Sequence, residues 1–436
     1  MFYRKISKVI NDYLKNDDAK ILCIEGARQV GKTYIIRELG SRKYSNYIEI
    51  NFANDFNGPR KYERVDSVES FYMQLGVEFG DQLVEHKTLI FLDEIQVYPK
   101  FLTMLKPLRQ DNRFKYICSG SELGLAMTKT TLIPMGSISE EKMYPMDFEE
   151  FLLANSVGKS VIEHMKQCFI NKVPLSESIH NQILHLFKVY LFVGGLPEAV
   201  KAYIETTNVF EIAKVQNLVI EHYKQDAAKY DMENRLKIHR IYDLVPSNLE
   251  NKVKRIQYNK IEDKDYRFEH YQDEFDYLIS SGIVLDTKAI SEPKFPLIQS
   301  SSKNLIKLYM NDVGLLTNIL YKTNINAILD DKKGINLGAV YETLVAQELM
   351  AHGHKLFYFD QKKMGEVDFL VDDYDNLSIL PIEVKSGMDG YRYRALPKLV
   401  NIPNYRIKQG IILSNNREIK IEDKIIKMPI YFVMFI

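Results

Sequence analysis

The chain has 436 residues, enough for two or three domains. It is 46% hydrophobic and 27% charged, ordinary for a globular protein with several cores. Its 58 Lys+Arg balance 58 Asp+Glu, which removes any global charge argument for nucleic acid. No run approaches the roughly 18 apolar residues that span a bilayer, and residues 1–6 lack the apolar core of a signal peptide. Three cysteines without metal spacing, Cys23, Cys118 and Cys168, read as reduced core residues. A cytoplasmic protein with no membrane insertion is expected.

Residues 1 to about 155 alternate strand and helix patterns, which argues for an α/β fold around a mostly parallel sheet. Residues 19–25 read as a buried strand and 34–39 as a helix. Between them stands Gly26-Ala27-Arg28-Gln29-Val30-Gly31-Lys32-Thr33, which fits G-x-x-x-x-G-K-[ST], the phosphate loop of P-loop NTPases. The glycines let successive N–H groups turn toward phosphate oxygens. Lys32 supplies charge for the β- and γ-phosphates, and Thr33 a hydroxyl for Mg²⁺. Residues 88–92 make a second buried strand that ends in Asp93 and Glu94. Ligands of open α/β sheets bind at that end, so Asp93 is placed to hold Mg²⁺ and Glu94 to orient or deprotonate water. A third strand, 114–118, runs into Ser119-Gly120-Ser121. Ser119 or Ser121 is placed to reach between the carboxylates and the γ-phosphate, or to cap the next helix.

From residue 146 to about 290 the pattern turns helical, with helices expected at 180–191, 238–249 and 266–280 and a strand at 282–290. Helices followed by a strand with basic flanks suggest a winged helix. Residues 252–267 hold six basic and three acidic residues, and 385–408 six basic and one acidic, with Tyr391-Arg392-Tyr393-Arg394 among them. Such patches can neutralise phosphates while tyrosines stack on bases; a merely solvated face is the competing reading. Residues 291–302, with two prolines and four serines, read as a linker. An amphipathic helix is expected at 338–349, then a hairpin of 365–371 and 378–385 joined by a polar turn at 372–376.

That hairpin carries a second constellation. On a strand, residues two apart share a face, so Glu383 and Lys385 point the same way and Asp368 on the partner strand can meet them. Asp368, Glu383 and the Val384 carbonyl would hold Mg²⁺ or Mn²⁺, with Glu342 as a further carboxylate. Lys385 would activate water or offset phosphate charge, as in a metal-dependent nuclease. A surface ion pair is the competing reading.

Eight segments, in order, resemble one family: residues 26–33, Leu92-Asp-Glu-Ile-Gln96, Ser119-Gly-Ser121, Tyr144-Pro-Met-Asp-Phe-Glu-Glu-Phe151, Gly194-Gly-Leu-Pro-Glu198, Lys307-Leu-Tyr-Met-Asn-Asp-Val-Gly-Leu-Leu316, Gly365-Glu-Val-Asp-Phe369 and Ile382-Glu-Val-Lys385. The chain resembles prokaryotic AAA-type P-loop ATPases with an uncharacterised C-terminal region that carries a PD-(D/E)XK nuclease-like module. The resemblance implies ATP as nucleotide and a winged-helix-like middle. Three domains are then expected: an AAA-type P-loop NTPase domain at 1–155, a helical and winged-helix-like domain at 156–300, and an α/β PD-(D/E)XK nuclease-like domain at 301–436. The expected activity is Mg²⁺-dependent ATP hydrolysis serving a conformational switch on or near DNA. The alternatives are a protein-interaction or regulatory module with an inactive nuclease-like fold, partnered by another protein or by copies of itself, and a hexameric DNA motor. One departure bears on mechanism. Many members carry a Gly-Arg pair after the third strand, whereas this chain has Gly136-Ser137 and no arginine between Arg113 and Arg235. Arg109 or Arg113, and less so Lys129 or Lys142, would have to substitute, and slow or partner-stimulated hydrolysis is expected.

Overall fold

Apolar runs bounded by polar turns become the strands that position everything else. The computed structural model describes residues 1–16, 20–129, 136–230, 235–251, 254–262, 267–301, 305–329, 337–386 and 394–436. Two compact units result: one from Met1, Tyr3–Tyr144 and Ser280–Gly282, the other from Phe2, Pro145–Ile279 and Ile283–Ile436. No described helix is long and apolar enough to cross a membrane.

The first unit holds strands β1 (Ile21–Glu25), β2 (Asn46–Asn51), β3 (Thr88–Asp93), β4 (Lys115–Gly120) and β5 (Ile138–Lys142). Their order is β2-β3-β4-β1-β5, and every pair is parallel. Strands covered on both faces read as continuous apolar runs, and β1 and β3 are buried along their whole length. Because β4 lies between β1 and β3, their C-terminal ends set the phosphate loop, Ser119 and Asp93 along one edge of the sheet. One face is closed by Phe52, Tyr62, Phe71 and Phe101, with the Phe52 and Phe101 rings 4.6 Å apart. The cysteines correct one expectation. Cys23 and Cys118 are register partners on β1 and β4 with Cα atoms 4.7 Å apart, and they are joined as a disulfide rather than reduced. Cys168 is free and buried.

The second unit begins with helices, from Phe148–Ala154 through Glu177–Val193 and Val209–Tyr230 to Arg235–Glu250. Its sheet follows: β6 (Val284–Ile290), β7 (Ile306–Met310), β8 (Phe357–Gln361), β9 (Gly365–Asp373), β10 (Ser378–Val384), β11 (Gly410–Ser414), β12 (Lys420–Glu422) and β13 (Ile425–Pro429). The order is β12-β13-β11-β10-β9-β8-β6-β7. The structure departs from the sequence reading in four places here. The strand expected at 282–290 is no wing: β6 pairs antiparallel with β7 and parallel with β8, so it belongs to the C-terminal sheet. That pairing joins helices and sheet into one compact unit, where separate domains at 156–300 and 301–436 were expected. The supposed linker 291–302 contributes Leu297 to the core beside Ile290 and Phe357, and its N–H donates to Asp372 Oδ1 at 2.9 Å. The helix Gly338–Ala351 is not amphipathic. It is buried at every position from Ala339 to Leu349, packed between the helices Arg235–Glu250 and Val313–Tyr321 and strands β6, β7 and β10. The hairpin is as read, β9 and β10 pairing antiparallel through Leu380↔Val371 and Ile382↔Phe369.

Candidate functional site

The phosphate loop turns from the end of β1 into the helix Lys32–Lys43. Gly31 sits at φ 97° and Gln29 at φ 68°, both in the left-handed region that favours glycine. A Cβ on Gly26 would stand 2.1 Å from the Met143 carbonyl oxygen, so only glycine fits there. Among the described residues no side chain caps the helix, which leaves its first-turn N–H groups turned toward the loop. The Lys32 ammonium donates to the Gly26 carbonyl at 2.7 Å and the Ala27 carbonyl at 2.9 Å. Burial lowers its pKa, against the nearby Glu94 and Asp93 carboxylates that raise it; Arg28, in the same loop, adds to the lowering.

Asp93 is the hub of the site. Thr33 Oγ1 donates to its Oδ2 at 3.0 Å, Asn51 Nδ2 to the same oxygen at 2.9 Å, and Ser119 Oγ to Oδ1 at 2.5 Å. Burial raises the carboxyl pKa, and the Ser119 hydrogen bond opposes that most. Glu94 takes the left-handed backbone at φ 53°. Its Oε2 accepts from Gln96 Nε2 at 2.6 Å and from Ser121 Oγ at 3.3 Å. The two serines therefore divide the carboxylates between them. A hydroxyl and a carboxylate side by side are the hard oxygen donors that Mg²⁺ prefers, so Thr33 and Asp93 fit that ion.

Sequence reasoning missed three residues here. Asn51 ends β2 opposite Asp93 in the β2–β3 register, and its Oδ1 also caps the helix Phe52–Phe56 by accepting from Asn54. Arg4 donates to the Val30 carbonyl at 2.8 Å and the Tyr144 carbonyl at 2.7 Å, holding the loop from behind. Glu25, which accepts from the Gly124 N–H at 3.1 Å, is raised in pKa by burial. Only the apolar-to-polar switch at the ends of β1 and β2 could have flagged Glu25 and Asn51. The substitutes for an arginine finger fare poorly. Arg113 precedes β4 and so lies at the opposite edge of the sheet, paired with Asp111 and stacked on Tyr72 at 4.1 Å. Arg109 donates to the Gly136 carbonyl at 3.3 Å. Lys142 stands 3.9 Å from Glu25, and the Lys129 side chain is outside the described residues.

In the second unit, Asp368 on β9 and Glu383 on β10 lie one step past the Ile382↔Phe369 pair. Asp368 Oδ2 accepts from the Val384 N–H at 2.8 Å, and Lys385 Nζ donates to Glu383 Oε1 at 2.6 Å. Glu342 is ion-paired with Lys254 and accepts from the Tyr309 hydroxyl at 3.4 Å. Burial first, then Asp368, raise the pKa of both Glu342 and Glu383. Yet among the described residues no three acidic, histidine or cysteine side chains are gathered to hold a metal ion. The expected metal set of Glu342, Asp368 and Glu383 is thus not assembled: lysines and a backbone N–H hold one oxygen of each carboxylate. The expected DNA patch changes as well. Lys254 pairs with Glu342 and Arg255 with Asp360, so neither presents a free charge. Lys260 and Arg394 are exposed, while Lys252, Tyr391, Arg392 and Tyr393 lie outside the described residues.

Residues 18–152 match a family model described as an AAA domain. The first unit is AAA-like. Residues 184–326 and 337–432 match two families described only as domains of unknown function, DUF8612 and DUF4143. An uncharacterized protein of Methanocaldococcus jannaschii is 22% identical over 441 residues, covering 98% of this chain and 87% of its own. Among solved structures, the ADP form of the Aeropyrum pernix ORC2 protein is 14% identical with a TM-score of 0.30, covering 76% of this chain and 93% of that one. The Thermotoga maritima RuvB Holliday junction branch migration motor is 13% identical with a TM-score of 0.30, covering 65% of this chain and 89% of that one. Scores of that size carry no structural argument for the chain as a whole, so the AAA likeness rests on residues 18–152 and on the site itself.

Proposed function

We propose that the AAA-like unit binds and hydrolyses ATP with Mg²⁺, and that turnover switches the state of the second unit rather than driving continuous motion. One observation carries the reading: the Thr33 hydroxyl meets the Asp93 carboxylate at 3.0 Å, so phosphate loop and acidic strand end form a single site. Lys32 would leave its two loop carbonyls to hold the β- and γ-phosphates. Thr33 and Asp93 would hold Mg²⁺, which neutralises charge on the phosphate oxygens when bound. Glu94, fixed by Gln96 and Ser121, would orient the attacking water and take its proton. Ser119 and Asn51 keep Asp93 in place. The absence of a well-placed arginine among the described residues supports slow, partner-dependent turnover. A fluorescent-nucleotide titration tests the reading: Lys32→Ala should lose ATP binding by about 10²-fold or more, since it removes a buried cation facing phosphate. Equal affinity in wild type and variant would sink it.

A second reading concerns Glu342, Asp368, Glu383 and Lys385, as a nuclease-like cation site of the second unit. Strand pairing and the shared face of Glu383 and Lys385 support it, while the lysine-neutralised state favours a masked or inactive form. Contact with DNA has narrower support now that Lys254 and Arg255 are engaged. We expect duplex binding, where present, to weaken as salt rises, read from isotherms at several salt concentrations. Affinity that stays level would rule out phosphate contacts.

A further inference from the structure

The geometry points to Lys254 as the built-in occupant of a cation site among Glu342, Asp368 and Glu383, on a strap that keeps divalent metal out. This rests on reading those carboxylates as a cation site. Among the described residues, four carboxylates, Glu342, Glu366, Asp368 and Glu383, share the region with three ammonium groups, of Lys254, Lys307 and Lys385. Lys307 belongs to β7 and pairs with Glu366; Lys385 follows β10 and pairs with Glu383. Lys254 differs because it comes from outside the sheet, from residues 254–257, which belong to no helix or strand. That segment is pinned at three consecutive residues. Lys254 pairs with Glu342, Arg255 with Asp360 at the end of β8, and the Ile256 N–H donates to the Ile306 carbonyl of β7 at 3.2 Å, with the Ile256 side chain buried.

A separate observation shows an acceptor in want of a partner. Glu383 is 7% exposed, and its buried Oε2 has no hydrogen-bond partner among the described residues, although the charges of Asp368 and Glu342 act on it. The charge count fits an exchange of one cation for another. With every carboxyl ionised, as a bound metal would require, the described residues of the region carry one net negative charge with Lys254 in place and two without it, which is what a divalent cation neutralises. Leaving a buried carboxylate without its cation is costly, so departure of the ammonium and arrival of a metal would be coupled. Burial disfavours the Lys254 ammonium, but Glu342, Asp368 and Glu366 outweigh it and keep the charge on.

Mn²⁺ binding to the full chain, measured by calorimetric titration without nucleotide, decides between outcomes. Lys254→Ala should bind Mn²⁺ at least about ten-fold more tightly than wild type, the scale of one close charge, and the gain should vanish when Glu342→Gln is added. Equal affinity in wild type and Lys254→Ala, lost in both with Glu342→Gln, would overturn the strap and leave the cation site standing. A folded Lys254→Ala chain with no site that Glu342→Gln removes would overturn both. Should Lys254→Ala fail to fold, the wild-type chain still answers. Millimolar Mn²⁺ should raise acylation of Lys254 by an amine-reactive reagent, read by peptide mass spectrometry, and unchanged labelling would overturn the proposal.

Discussion

Replacing Glu94 with glutamine should leave ATP affinity near that of the wild type and lower turnover by about 10²–10⁴-fold, the usual worth of a positioned general base. Glutamine keeps the size and one acceptor oxygen, so the hydrogen bond from Gln96 Nε2, now 2.6 Å from Glu94 Oε2, has a partner to keep. It cannot take a proton. The left-handed backbone at φ 53° is set by residues 95–97, which leave β3 as a short 3₁₀ turn, and does not depend on the charge. Asp93 and Thr33 are untouched, so binding and hydrolysis should separate cleanly. Steady-state phosphate release together with a nucleotide titration checks this, and turnover within a few-fold of wild type would remove Glu94 from the water-activating role. The same variant, held with ATP bound, addresses assembly. A closed hexamer by mass measurement would favour a motor over the switch.

How much was legible in the sequence follows from how local each signal is. The phosphate loop could be read because its constraint is short-range: Gly26 and Gly31 are required by a backbone path that spans eight residues. Asp93 and Glu94 could be read because a fully apolar strand ends in two acids. Asn51 and Arg4 could not. Asn51 reaches Asp93 only because β2 and β3 lie side by side, and Arg4 meets Tyr144 across 140 positions of sequence. Strand 284–290 was recognised as a strand, but periodicity says nothing about which sheet a strand joins. The helix Gly338–Ala351 was misjudged because polar residues such as Glu342 and Gln347 imitate a solvated face, whereas each has a partner within the fold: Glu342 with the half-buried Lys254, Gln347 with the Tyr190 hydroxyl at 2.7 Å. The same blindness to distant partners made Lys254 and Arg255 look like phosphate ligands.

Asp312 is where three of the recognisable segments converge, and it yields the last expected result: Asp312→Asn should abolish a pH dependence of stability worth about 3 kcal/mol. Asp312 precedes the helix Val313–Tyr321 and caps it, Oδ1 accepting from the Leu315 N–H at 3.2 Å, while Oδ2 accepts from the Gly195 N–H at 2.6 Å. Gly195 in turn accepts from the Met146 N–H at 2.7 Å, and a Cβ on it would stand 2.0 Å from the Met146 carbonyl oxygen. Segments far apart in sequence are thereby locked around one wholly buried carboxyl. Burial pushes its pKa from the ordinary 3.8 to about 6, against backbone N–H donors led by Gly195 that pull it down. The folded chain therefore holds this proton more tightly than the unfolded chain. The stability it contributes is complete below about pH 4 and is lost as pH rises through about 6. At roughly 1.4 kcal/mol for each ten-fold in proton affinity, the loss is about 3 kcal/mol. An asparagine does not titrate, and its amide N–H groups face donors, so the variant should be less stable throughout yet lack this slope. Denaturant unfolding of both proteins at about pH 4 and about pH 7 isolates the effect, because every other titrating group cancels in the difference between them. If that difference stays constant with pH, Asp312 is ionised across the range, and its N–H donors outweigh its burial.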